Sequence, residues 1–172
     1  MADLCTVDDV AQELRWRSGE AAKYGAWLQV YISAATPMIE DLAGPILPAT
    51  ITERHDGGSQ AVALRNRPNA ITSVSVGGVA VSGWTADLTA GLVYAGGRFA
   101  PGVQNVEVVY AVGGYVPENV RLAATALVAH MWKRSNPQVE NPEDVSPVPQ
   151  GFAVPNAVVQ MLAPQKRLPG FA

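Results

Sequence analysis

The sequence predicts an α+β fold: two N-terminal helices and a third helix form a small bundle, with an antiparallel β-rich insert between helices two and three. Three observations predict it. Apolar residues recur at helical spacing up to residue 43, the period drops to two between 51 and 114, and helical spacing returns from Pro117. The 172 residues suit one domain with an appendage, long enough to bury a core without disulfide staples.

The first helix is expected over about 6–14. Thr6 is a good N-cap, Asp8 and Asp9 sit at the positive end of the helix dipole, and Val7, Val10, Ala11 and Leu14 fall on one face. Ser18-Gly19 breaks the pattern. A longer helix follows over 20–43, with Ala21, Tyr24, Leu28, Tyr31, Ile32, Ala35, Ile39 and Leu42 as its apolar stripe. Pro37 lies inside it and is expected to kink or split it, because proline lacks the N–H and crowds the preceding turn. Gly44-Pro45 is a helix stop.

Four to six short antiparallel strands are expected over 51–114. Gly77-Gly78 lies between Val74-Ser75-Val76 and Val79-Ala80-Val81, the spacing of a two-residue hairpin. Thr72, Val74 and Val76 are placed on one strand face. Leu92-Val93-Tyr94-Ala95 reads as a further strand, and in Val106 to Val112 the residues Val106, Val108, Tyr110 and Val112 point one way.

The third helix is expected over 117–135, started by Pro117, where proline is tolerated. Its stripe is Val120, Ala123, Ala124, Leu127, Val128 and Met131, and Lys133 and Arg134 suit its negative end. Residues 1–135 are thus read as one domain. Residues 136–172 are read as a proline-rich tether with a short apolar helix, Asn156 to Ala163, which Pro164 ends. A tether ending in an apolar helix and a basic pair, Lys166-Arg167, is a docking arrangement; the alternative is a helix that packs back on its own domain.

Charged residues make up 16% of the chain, well below the roughly 25% usual for soluble domains. Apolar surface must therefore be hidden within the chain or against neighbours, and some of both is expected. The net charge is −3 and the twelve basic residues are scattered, which argues against sequence-specific nucleic-acid binding. The N-terminus shows no signal-peptide pattern, and no apolar run approaches the roughly 20 residues that span a bilayer.

The inventory for catalysis is thin, and the chain is expected not to be an enzyme and to need no cofactor or metal. His130 lies mid-helix among apolar neighbours. Glu53, His55 and Asp56 are consecutive enough on a strand that their alternation keeps them from converging on a metal. Cys5, the one cysteine, has no base or oxyanion site nearby and reads as a structural thiol. The glycine doublets lack the Gly-Lys-Ser/Thr ending of a phosphate loop and are turn glycines. Trp16, Trp27, Trp84 and Trp132 are spread along the chain, so a stacking face for sugars or single strands is not indicated.

The order of elements, with four stretches of sequence, resembles the gp6-like head–tail connector (adaptor) proteins of long-tailed bacteriophages. The stretches are Thr6-Val7-Asp8-Asp9-Val10; Ala34-Ala35 through Ile39-Glu40-Asp41-Leu42-Ala43-Gly44; Leu64-Arg65-Asn66-Arg67-Pro68 followed by Ile71-Thr72-Ser73-Val74-Ser75-Val76; and Asn105 through Val112-Gly113-Gly114-Tyr115-Val116-Pro117. They lie within residues 6–134.

The resemblance implies a structural protein of the virion neck, made in the host cytoplasm. It implies a homo-oligomeric ring, typically twelve-fold when assembled on the portal and monomeric when isolated in some cases. Such a ring binds the portal, offers a platform to the stopper or tail, and extends the DNA channel without sequence-specific contacts. With it come two residue sets. Phe152, Val158, Val159, Met161, Leu162, Lys166, Arg167, Leu168 and Phe171 are expected to dock on the portal. Leu28, Ile32, Ala124, Leu127 and Met131 are expected between subunits. Two other readings stand beside this one: a tail-completion or minor tail protein, and a small carbohydrate-binding or hydrolytic β-module, for which Trp84 and Tyr94 are the residues to inspect.

Overall fold

The computed structural model describes residues 3–135 and 154–165. The elements run α1 (Val7–Glu13), α2 (Glu20–Ala43), β1 (Ala49–His55), β2 (Ala61–Ala63), β3 (Ala70–Val76), β4 (Val79–Ala80), β5 (Thr85–Asp87), β6 (Leu92–Tyr94), β7 (Val106–Val112), α3 (Glu118–Ser135) and α4 (Asn156–Leu162), with a 3-10 turn at Ala163–Gln165. The predicted α+β order is the observed one. The chain forms two units: a helical unit from Met1–Gly44 and Val116–Ala172, and a β unit from Pro45–Tyr115.

In the helical unit, Thr6 caps α1 as its residue type predicts and does so reciprocally. Its hydroxyl oxygen accepts from the Asp9 N–H (3.1 Å), while Asp9 Oδ2 accepts from the Thr6 N–H (2.9 Å), a capping box. Burial pushes the Asp9 carboxyl up, but the Thr6 hydrogen bonds and the Arg121 charge outweigh it and hold the group below its ordinary value. Helix α2 runs unbroken through Pro37, so the expected split does not occur. The one missing N–H is tolerated in a helix that Leu28, Ile32, Ala35, Thr36 and Ile39 already hold in the core.

Helix α3 is the centre of this unit. Val120, Ala123, Ala124, Leu127, Val128, Ala129, Met131 and Trp132 are all buried, and α1, α2 and α4 all pack on it. The alanines permit that crowding, since a methyl side chain lets a neighbouring helix approach closely. Pro117 is not inside the helix but caps it: its carbonyl accepts from both the Val120 and Arg121 N–H groups at 3.0 Å. Helix α4 belongs to the same unit. Val158 and Leu162 are fully buried, and Asn119 Nδ2 donates to the Met161 carbonyl at 2.8 Å.

The β unit holds two antiparallel sheets, ordered β1-β7-β3-β4 and β2-β6-β5. The structure has seven strands where four to six are expected, and four of them (β2, β4, β5 and β6) are only two or three residues long. Strand β7 is central to the larger sheet, pairing with β1 and β3, and its side chains alternate as expected: Val106, Val108, Tyr110 and Val112 are buried. They form one core with Val62, Leu64, Val74, Val93 and Phe99. The β3–β4 hairpin turns on Gly77 and Gly78, both at positive φ (58° and 81°), the conformation a two-residue turn of this kind needs.

One strand face differs from expectation. Ile71 opposes Tyr110 and Ser73 opposes Val109, so Thr72 is an unpaired bulge. The extra residue shifts the alternation, putting Ile71 on the core side with Val74 and Val76 and leaving Thr72 exposed. The two ends of the β unit are joined: the Gly114 N–H donates to the Ile46 carbonyl at 2.9 Å.

Two substitutions test these units separately. Gly113 has φ +67° and an added Cβ would lie 2.1 Å from the Leu47 carbonyl oxygen. Gly113→Ala is expected to destabilise the β unit by at least about 1–3 kcal/mol, the cost of a strained backbone alone. Leu162→Ala is expected to destabilise the helical unit by about 2–5 kcal/mol. Denaturant titrations followed by near-ultraviolet circular dichroism measure both; a Leu162→Ala protein as stable as wild type would show that α4 does not pack on α3.

Candidate functional site

Side chains that carry chemistry are gathered at one place in the β unit. Glu53 on β1 is buried although it is a carboxylate. Tyr110 on β7 donates its hydroxyl to Glu53 Oε1, and the Arg65 N–H lies 3.2 Å and 3.3 Å from the two carboxylate oxygens. Asn66 Nδ2 reaches the Tyr110 oxygen at 3.5 Å. His55, two residues along β1, shares the Glu53 face, and its Nε2 stands 3.2 Å from Glu53 Oε2 without the alignment of a hydrogen bond. The expectation that these residues diverge therefore holds only for Asp56. Asp56 turns away and accepts from the Gln104 N–H at 2.7 Å.

This cluster is a buried polar network. It ties the loop after β2 to β1 and β7, and every oxygen of Glu53 is occupied by the chain itself. Among the described residues no three His, Cys, Asp or Glu side chains come together as metal ligands. Cys5 is buried beneath α3, and burial pushes its thiol up to about 11, against a lowering hydrogen bond from Thr125. A thiol held protonated at neutral pH is a poor nucleophile.

The tryptophans separate into three environments. Trp132 is buried, and Trp16, Tyr24 and Tyr31 pack on it with ring centroids 5.2–6.0 Å apart. Trp84 packs against the β core and Tyr94 is at the margin of exposure, so they form no open stacking platform. Trp27 alone is largely exposed, touching only Tyr24 among the rings. This aromatic cluster joins α2, α3 and the segment between α1 and α2, and it was not read from sequence. The signal was there in the seven-residue interval between Tyr24 and Tyr31, which puts both rings on one side of a helix.

The residues expected between subunits lie inside the subunit. Leu28, Ile32, Ala124, Leu127 and Met131 are all buried in the helical unit's own core, so none presents its side chain to a neighbour. The reason is periodic: their stripes on α2 and α3 are the ones that face each other. Of the expected docking residues, Val158 and Leu162 are likewise buried against α3, and Val159 and Met161 are half-buried. Phe152, Lys166, Arg167, Leu168 and Phe171 lie outside the described residues. No helix among the described residues is long and apolar enough to cross a membrane.

The order of helices, β insert and helices is a fold that also occurs in a phage-like particle. The chain is similar to a chain in a structure of the neck of an empty GTA (gene transfer agent) particle, computed with C6 symmetry. The TM-score is 0.63 and the identity 18%, covering 96% of this chain and 91% of that one. At that identity the likeness is one of fold. No protein-family model matches the chain, and no curated protein does.

The network around Glu53 has a titration consequence. Burial first, and then the hydrogen bond to Glu53, push the Tyr110 phenol up to about 12. The folded state thus holds this proton more tightly than the unfolded chain, whose tyrosines lose it near 10. Its contribution is complete below about pH 10 and is lost as pH rises through about 12. Thermal melts across that range, read beside phenolate absorbance, are expected to show a fall in stability that Tyr110→Phe removes. At neutral pH the same substitution is expected to cost about 1–3 kcal/mol, because Glu53 loses a buried donor.

Proposed function

We propose that this chain is a structural protein of a phage-like neck, a head–tail adaptor that assembles as a ring on the portal and offers the next neck or tail component its platform. The observation that carries the proposal is the fold: the likeness to a neck protein runs over nearly the whole of both chains, both helical ends and the insert included. The composition supports it. A chain with 16% charged residues and a net charge of −3 suits wide protein contacts and a channel that DNA passes without sticking. The ring is twelve-fold in this reading, of which the six-fold symmetry of the related neck is a subgroup. The role is structural rather than catalytic, and the tail-completion reading is set second because nothing about the β unit favours it.

Portal docking is assigned to the sequence on either side of α4, with Phe152 before it and Lys166, Arg167, Leu168 and Phe171 after it. Helix α4 itself serves as the anchor, since Val158 and Leu162 are committed to α3 and Gln165 Nε2 reaches Asn119 Oδ1 at 3.4 Å. The test must therefore spare α4. Truncation after Gln165 is expected to leave the melting temperature unchanged and to weaken binding to the cognate portal by at least about tenfold, the loss of roughly 1.4 kcal/mol. Pull-down and electron microscopy of the mixture measure it. Unchanged binding, with the added ring still visible, would remove the C-terminal residues from the docking surface.

A further inference from the structure

Helix α2 is apolar on two sides. Leu28, Ile32, Ala35 and Ile39 face the core. Trp27, Val30, Ala34 and Pro37 make a second stripe at spacings of three and four, and all four are exposed. Trp27 is 65% exposed and Val30 67%, one turn apart, which leaves a large indole and a β-branched side chain in water on the same helix face. Lys23, also exposed, stands one turn before Trp27, its ammonium 4.7 Å from the Tyr24 ring centroid.

A complementary surface exists elsewhere on the helical unit. Between α1 and α3 runs an open groove of about 280 Å³, lined by no α2 residue. Its apolar part is Leu122, 50% exposed, and its rim carries Asp9, Glu13 and Glu118 against the single cation Arg121. Arg121 is engaged by Asp9 (2.7 Å) and Glu118 (2.5 Å), so the groove retains a negative excess centred on Glu13.

We propose that the Trp27–Val30 face of α2 docks into the Leu122 groove of a second copy of this chain, with Lys23 set against Glu13. The inference rests on the ring reading above and specifies its contact. Charge complementarity selects the partner: one apolar patch has a cation at its edge, the other an acidic rim. Geometry selects the mode. Two different patches that complement each other form a head-to-tail contact, which repeats around a cyclic axis, whereas a patch meeting itself closes at a dimer. An exposed tryptophan entering a groove with a polar rim is also the usual composition of an interface anchor.

The experiment uses the full chain, with the cognate portal present to support assembly, and begins with wild type in mass photometry. Wild-type chains that remain single under every condition would overturn the ring reading itself. Given wild-type assembly, Trp27→Asp is expected to raise the concentration needed by about tenfold or more. Lys23→Glu and Glu13→Lys are each expected to weaken assembly and, combined, to restore it. Trp27→Cys with Leu122→Cys, treated with a short bismaleimide, should give a ladder of dimers, trimers and higher species. Assembly unaffected by these substitutions, no ladder from the double variant, or dimers from Trp27→Cys alone would each overturn the docking assignment while leaving the ring standing.

Discussion

Helix α3 gives most of its surface between Val120 and Trp132 to the core, and the rest of the helical unit follows from that. Eight of its residues between Val120 and Trp132 are buried apolar side chains, with Thr125 buried beside them. A helix so enclosed must be met by neighbours on several sides, and α1, α2 and α4 supply them. They come from both ends of the sequence, so the unit cannot close until the chain has completed the β insert. The fastening at the insert's own ends, Gly114 to Ile46, fits that requirement. An insert whose ends are held together lets α2 and α3 come together at little loop-closure cost.

The β unit solves a related problem with one central strand. Strand β7 is paired on both sides, and its inward residues are valines and one tyrosine. The tyrosine brings a hydroxyl into an apolar core, which requires a partner there. Glu53 is that partner, and its own burial is made tolerable by the Arg65 N–H and the Tyr110 hydroxyl. Neither group would be stable alone at this depth, so the pair fixes the register of β1 on β7 more strictly than the valines do. A one-residue slip of β1 would carry Glu53 to the other face and leave the Tyr110 hydroxyl without its partner.

Local signals carried most of the fold. The Thr6 cap, the Gly44 stop, the Gly77-Gly78 hairpin and the alternation of β7 each depend on a few neighbouring residues, and each appears where its residues predict. What depended on distant partners was not legible. The Thr72 bulge exists because β3 must match both Tyr110 and Val109 on another strand. The contact of His55 with Glu53 needed the observation that positions two apart share a face, and the expectation had treated the three polar residues as simply alternating. Helix α4 reads from sequence as a docking helix, with packing back on its own domain as the alternative, and the structure buries Val158 and Leu162 within the unit. Of the residues named beforehand for binding, those in described elements turned out to be core or half-buried, because an apolar stripe announces burial without saying against what.

That ambiguity is sharpest on α2, where two apolar stripes share one helix. Periodicity ranks the Leu28–Ile39 stripe first, since its residues are larger and more regular, and a ranking by hydrophobicity would assign that stripe to whichever contact is imagined as dominant. Folding takes precedence over assembly in this competition, because the intramolecular partner α3 is present at a fixed, high effective concentration. The strongest stripe is therefore consumed within the subunit, and a contact between subunits must be built from the weaker remainder. Trp27, Val30, Ala34 and Pro37 are that remainder: one large ring, one branched side chain and two small groups. In the proposed ring, an anchor residue surrounded by small neighbours would suffice for each contact, because closure adds the interfaces together.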